Sequence, residues 1–178
     1  TDPRWDLKFI GMQLIIEGLA LAAFNTMRMT TYEPLCKNIV ELVIRDEGRH
    51  VAFGVNYLED YIRTLPQEEI EERAEFAYEA CVVMRERLIP IDVFEHFGWD
   101  VEEARRRTLD GEVMQMFRNL LFERIIPNLK RVGLLTENVR PKFEALGLLE
   151  YENLTGDGLI DWAELEKPLP ITVHEAAE

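Results

Sequence analysis

Glu17 lies inside an otherwise apolar run, Leu14 to Phe24, and further along the chain comes Asp46-Glu47-Gly48-Arg49-His50. An uncompensated carboxylate is costly in apolar surroundings, so Glu17 calls for a partner charge. Glu47 and His50 are three residues apart, which on a helix places both side chains on one face. Two glutamates and one imidazole offer hard oxygen donors and a nitrogen, half of the ligand set of a carboxylate-bridged dinuclear metal centre. An isolated Glu-x-x-His is common and by itself reads as a solvated helix face. The apolar setting of Glu17 lifts this one above that background.

Two helices must position these groups. Apolar residues at Ile10, Leu14, Ala20, Leu21 and Phe24 predict one helix from Trp5 to about Arg28, opened by Asp2 as N-cap and Pro3 at the first helical position. Thr30 to Pro34 reads as a turn, and a second helix is predicted from about Glu33 to Arg63, with Ile39, Val43, Val51 and Val55 near one stripe. Glu17 lies 14 residues before Thr31 and Glu47 lies 16 after it. At about 1.5 Å per residue the two glutamates reach nearly the same height on antiparallel neighbours.

A third helix is predicted from Gln67 to Pro90, with Phe76, Ala77, Ala80, Met84 and Leu88 apolar, followed by an irregular stretch from Ile91 to Trp99. Asp100-Val101-Glu102-Glu103 has the form of a capping box and opens a fourth helix, with a kink or stop at Pro127. A short helix near Pro141 to Leu146 and an acidic tail complete the chain. There is no internal repeat and no strand pattern. The expected class is all-α, with a helical domain over 1–133 and an acidic C-terminal extension over 134–178.

Composition bounds the partners. The 178 residues hold 20 Lys+Arg against 34 Asp+Glu, a net charge of −14, which repels phosphate backbones and anionic lipid. Neither nucleic-acid nor membrane-surface binding is expected. Cys36 and Cys81 have no metal-type spacing and fit reduced thiols in a cytoplasmic protein, with a single disulfide left open. The apolar run around Glu17 reads as too short and too interrupted to span a bilayer, and no signal-peptide pattern precedes it.

Glu17 followed by Asp46-Glu47-Gly48-Arg49-His50 resembles the C-terminal half of the Glu…Asp-Glu-x-Arg-His signature of ferritin-like di-iron carboxylate proteins. That superfamily takes in ribonucleotide reductase small subunits, multicomponent monooxygenases, acyl desaturases and ligand-binding oxidases. The match covers roughly residues 5 to 65. The resemblance implies a ferritin-like helical bundle of which this chain supplies the second helical hairpin. It implies two iron ions, or one manganese and one iron, with Glu17, Glu47 and His50 as ligands and no catalytic group beyond them. By the same carry-over Asp46 is an acceptor that orients a ligand histidine, with Arg49 as its charge partner. Val51 and Phe53, one turn on, either line a dry pocket or pack in the core. The activity implied is that of an oxidoreductase that activates dioxygen to oxidise a small-molecule substrate.

Position 12 is Met, not the Tyr of the cross-linking oxidases, so that chemistry is not expected. The first Glu and first Glu-x-x-His of the full pattern are also missing, and the adjacent pair Glu95-His96 cannot replace them. Either the chain is the C-terminal piece of a longer protein, which its abrupt start at Thr1 favours, or a second copy completes the site as a homodimer. In both cases the face carrying Glu17, Glu47, His50, Val43 and Leu21 is expected to be open in this chain alone. The competing reading is a non-catalytic helical interaction module with Glu17 in a buried structural ion pair, Arg49 being one partner.

Weaker signals remain. Asn153 to Glu164 imitates a calcium loop but reads better as a capped turn. His96 and His174 are expected in solvent, and Cys81 as a buried, inert thiol.

Overall fold

The computed structural model describes residues 3–154, apart from the side chains of 86 and 87. The described part is an all-helical bundle without strands. The first helix, α1 (Trp5–Thr30), runs as α-helix over Trp5–Phe9, as π-helix over Ile10–Ile16 and as α-helix again over Glu17–Thr30. Its proposed cap Asp2 lies outside the described residues. The second helix, α2 (Pro34–Ile62), starts where Pro34 pre-sets the first turn and the Glu33 carboxylate accepts from the Cys36 N–H at 2.6 Å.

Three further elements close the core: α3 (Gln67–Arg87), α6 (Glu112–Arg131) and, beside them, the short α7 (Arg140–Ala145). α1 packs along α2, against α6 with its C-terminal part, and against both α3 and α6 with its π segment. The core comes from Ile10, Leu14 and Leu21 of α1, Val51, Val55 and Leu58 of α2, and Phe122 and Ile125 of α6, all at most 1% exposed. Leu134, Val139, Phe143 and Leu148 belong to the same core, so it continues past residue 133.

Polar ties, one of them buried, set the helices against one another. Asp6 of α1 and Arg73 of α3 form an ion pair at 2.7 Å with both side chains almost fully enclosed. Arg131 of α6 reaches α2, where its guanidinium donates to Glu59 at 2.8 Å and Asn56 at 2.9 Å.

Two expectations about the second half are corrected. The stretch Ile91 to Trp99 is not irregular throughout: α4 (Ile91–His96) forms there, with Phe94 buried and Gly98 at φ +66 ending the turn. The predicted fourth helix is two helices, α5 (Val101–Asp110) and α6, split where Gly111 is extended at φ −68, ψ 136. Glycine loses the most backbone freedom in a helix, so a break there costs least. Pro127 does not stop α6, which continues to Arg131 with Pro127 buried. Asp100 does cap α5, accepting from the Glu103 N–H at 2.8 Å.

The 26 residues of α1 are long and apolar enough, by length and composition, to cross a membrane, contrary to the expectation drawn from the interrupted run. The turn at Glu17 that looked like an interruption is a single polar residue within one continuous helix. In the bundle the apolar stripe of that helix faces α2, α3 and α6.

Candidate metal centre

The π segment aims Glu17. At its end the Glu17 N–H donates to the Met12 carbonyl, five residues back. Such a segment inserts one residue into a turn and rotates the residues beyond it by about 100° relative to an unbroken α-helix. The apolar stripe of α1 therefore does not continue through Glu17, and the carboxylate enters the seam with α2 while Leu14 and Ile15 stay in the core.

There it meets the pair on α2. His50 Nδ1 stands 3.1 Å from Glu47 Oε2 and 3.5 Å from Glu17 Oε2. Donor atoms of all three side chains lie within 4.8 Å of one another. The side chains of Glu17 and Glu47 are 16% and 25% exposed and that of His50 58%, so the cluster opens to the surface on the His50 side.

Gln13, four residues before Glu17, fixes one carboxylate oxygen by donating its amide N–H to Glu17 Oε1 at 3.1 Å. The other oxygen, Oε2, is buried and has no hydrogen-bond partner, the 3.5 Å to His50 being too long for one. Burial pushes the Glu17 carboxyl above its ordinary range; His50 pulls it back, the Glu47 carboxylate pushes it up again and the Gln13 amide lowers it.

Gln13 is itself wedged by the backbone of α2. A Cβ added at Gly54 would lie 2.4 Å from the Gln13 Cβ, so the two helices touch here only because residue 54 has no side chain. Sequence reasoning passed over both residues. The signal was present in the i, i+4 spacing of Gln13 and Glu17 and in a glycine inside a helical pattern.

Other singled-out residues take different places. Asp46 is two-thirds exposed and pairs with Arg49 at 2.8 Å without contacting His50. Glu17's polar neighbours are Gln13, Glu47 and His50, not Arg49. Val51 packs in the core, whereas Phe53 is 58% exposed and stacks on Tyr57 at 6.1 Å. Leu21, expected on the open face, is buried, because α6 covers that side of α1. Cys36 and Cys81 are free thiols, and burial pushes Cys81 up to about 12, which makes it inert at neutral pH. His96 is exposed beside Phe97. His174 and all of the 153–164 segment beyond Leu154 lie outside the described residues; Asn153 accepts from Lys130 Nζ at 2.7 Å.

Apolar side chains are also exposed on α2: Ile39, Leu42, Phe53 and Tyr57 are each more than half exposed, while Met12 and Ile16 of α1 line a groove against α3. By helical spacing Ile39, Phe53 and Tyr57 share the side of α2 that carries His50. Comparison with protein-family models, curated proteins and solved structures found no match.

Proposed function

We propose that Glu17, Glu47 and His50 are half of the ligand set of a dinuclear iron, or manganese and iron, centre in a ferritin-like bundle, and that the protein is a dioxygen-activating oxidoreductase. The observation that carries this reading is Glu17 Oε2, a buried carboxylate oxygen with no hydrogen-bond donor, set beside a second carboxylate and an imidazole nitrogen. A buried acceptor with no partner is costly, and two carboxylates side by side repel; a divalent cation among the three removes both penalties. Two oxygens and one nitrogen are the donor types that suit iron or manganese.

When bound, the metal pair would supply the electrons that reduce dioxygen. The chain's own part is positional. Gln13 holds Oε1 of Glu17 and leaves Oε2 free to ligate. The apolar side chains of Leu14, Ile15 and Val51 keep water from the rear of the site. The exposed apolar strip beside His50 supports packing against a further helix pair that brings the remaining ligands, from another part of the same protein or from a second copy.

The test is elemental analysis and anomalous scattering on protein prepared with the helices that complete it and loaded anaerobically with ferrous iron. Two ions per completed site are expected, with dioxygen uptake that His50→Ala abolishes while helical content is kept. No metal ion within about 2.5 Å of these three side chains would overturn the reading.

A further inference from the structure

Away from the Glu17 cluster, three arginines from three helices meet around one small cavity. Arg85 near the end of α3, Arg105 of α5 and Arg118 of α6 line a space of about 130 Å³, closed on its apolar sides by Ile89 and Leu109. The Arg118 Nε is buried there with no hydrogen-bond partner.

This concentration of positive charge runs against the character of the chain. With 34 acids to 20 bases, an arginine has carboxylates to choose from, and arginines such as Arg73, Arg106 and Arg131 are engaged with them. No carboxylate among the described residues lies within ion-pair distance of Arg85 or Arg118. Bringing like charges together in a partly enclosed space is unfavourable, and burying an N–H without an acceptor adds to the cost. An anion in the cavity relieves both.

The size and donor type narrow the anion. The space is well below the ~300 Å³ at which pockets for drug-sized ligands begin, so its occupant is a few heavy atoms across. Guanidinium groups present planar forks of N–H donors that match the oxygens of phosphate in pairs. The forks of Arg85 on α3 and Arg118 on α6, arriving from two helices, suit an anion with oxygens on several sides rather than a flat carboxylate. We propose that this cavity binds a tetrahedral oxyanion of the size of inorganic phosphate, and that the anion clamps the end of α3 to α6.

The test titrates inorganic phosphate into the full chain at low ionic strength by calorimetry, with thermal melting read in parallel. One saturable site and a rise in Tm with phosphate concentration are expected. Arg118→Gln and Arg85→Gln should each weaken binding about tenfold or more, the loss of one charge-assisted hydrogen bond. Arg107→Gln, which alters an exposed arginine paired with Glu103 on the same helix as Arg105, should leave the affinity unchanged. Circular dichroism of each variant identifies any that fails to fold, and Arg85→Lys, which keeps the charge but loses the fork, then serves in its place with intermediate affinity. A parallel titration with glycerol phosphate distinguishes the sources: tighter binding than phosphate assigns the site to a phosphomonoester, weaker binding to the free anion. No saturable binding of either probe in the millimolar range, or binding that survives both glutamine variants, would overturn the proposal.

Discussion

Gly54→Ala isolates the contact that holds Glu17 in place. The new Cβ would lie 2.4 Å from the Gln13 Cβ and 3.0 Å from its Cγ, with the Gln13 Cα at 3.7 Å. Carbon atoms prefer separations of about 3.5–4.0 Å, so something must yield by about 1 Å. Because the nearest atom is the root of the side chain, rotating the Gln13 amide away does not relieve it, and α1 and α2 must part locally. Overpacking of this kind costs about 1–3 kcal/mol, offset by the ~0.5–1 kcal/mol that alanine gains over glycine in a helix. For a domain of this size a net loss of up to about 2.5 kcal/mol lowers Tm by up to about 10 °C, and the loss relative to an unhindered Gly→Ala change is the full ~1–3 kcal/mol. Gly11→Ala is the matched control, since its Cβ would meet the Phe76 ring at an ordinary 3.7 Å and should leave Tm unchanged or slightly raised. Both variants are melted with a chelator present, so that metal does not mask the difference, and ferrous affinity is measured separately. Displacing Gln13 frees Glu17 Oε1, so Gly54→Ala should also bind iron more weakly than Gly11→Ala. A Gly54→Ala protein as stable as Gly11→Ala would refute the close approach on which this reasoning depends.

Two further outcomes are expected from the ties between helices. Arg73→Met should cost more than Asp6→Leu: the first strands Asp6 in the core, about 3–5 kcal/mol for a broken buried pair, whereas the second leaves Arg73 with Glu69 at 3.2 Å and Glu72 at 3.0 Å. Urea unfolding that finds equal losses would show that those exposed glutamates do not shield Arg73. The Thr136 hydroxyl, donating to Glu71 at 2.7 Å, holds that carboxyl below its ordinary 4.5, helped by Gln67 and Asn138. A depressed pKa contributes stability that is complete above 4.5 and is lost as pH falls through the lower folded value. Thr136→Val should therefore be less stable than the parent near neutrality, with the gap closing as the solution is acidified below 4.5, and a gap that widens on acidification would contradict that assignment.

The helices were legible because their signals are local. Periodic apolar residues marked α1, α2 and α3, Asp100 marked the start of α5, and residue counting on either side of Thr31 brought Glu17 level with Glu47. What escaped was set by packing between elements. α4 is six residues long, too short to show a period, and is held by the burial of one side chain, Phe94. The break at Gly111 was hidden because apolar positions continue on both sides of it. Leu21 was read onto the open face from its spacing to Glu17, but spacing along one helix does not reveal that α6 crosses that side.

The orientation of the candidate site belongs to the same class. Counting gives the height of Glu17 along α1 but not its direction, because a 3.6-residue period assumes an unbroken α-helix and α1 changes its winding over Ile10–Ile16. Had the period continued, Glu17 would sit about 100° from where it does. The winding change, the Gln13 amide and the missing side chain at Gly54 all lie within two turns of the same carboxylate, on two different helices. A buried oxygen with no donor would relax toward water if its surroundings allowed it. That three separate features restrain it instead is the physical reason to read Glu17 as held for a ligand rather than merely tolerated in a core.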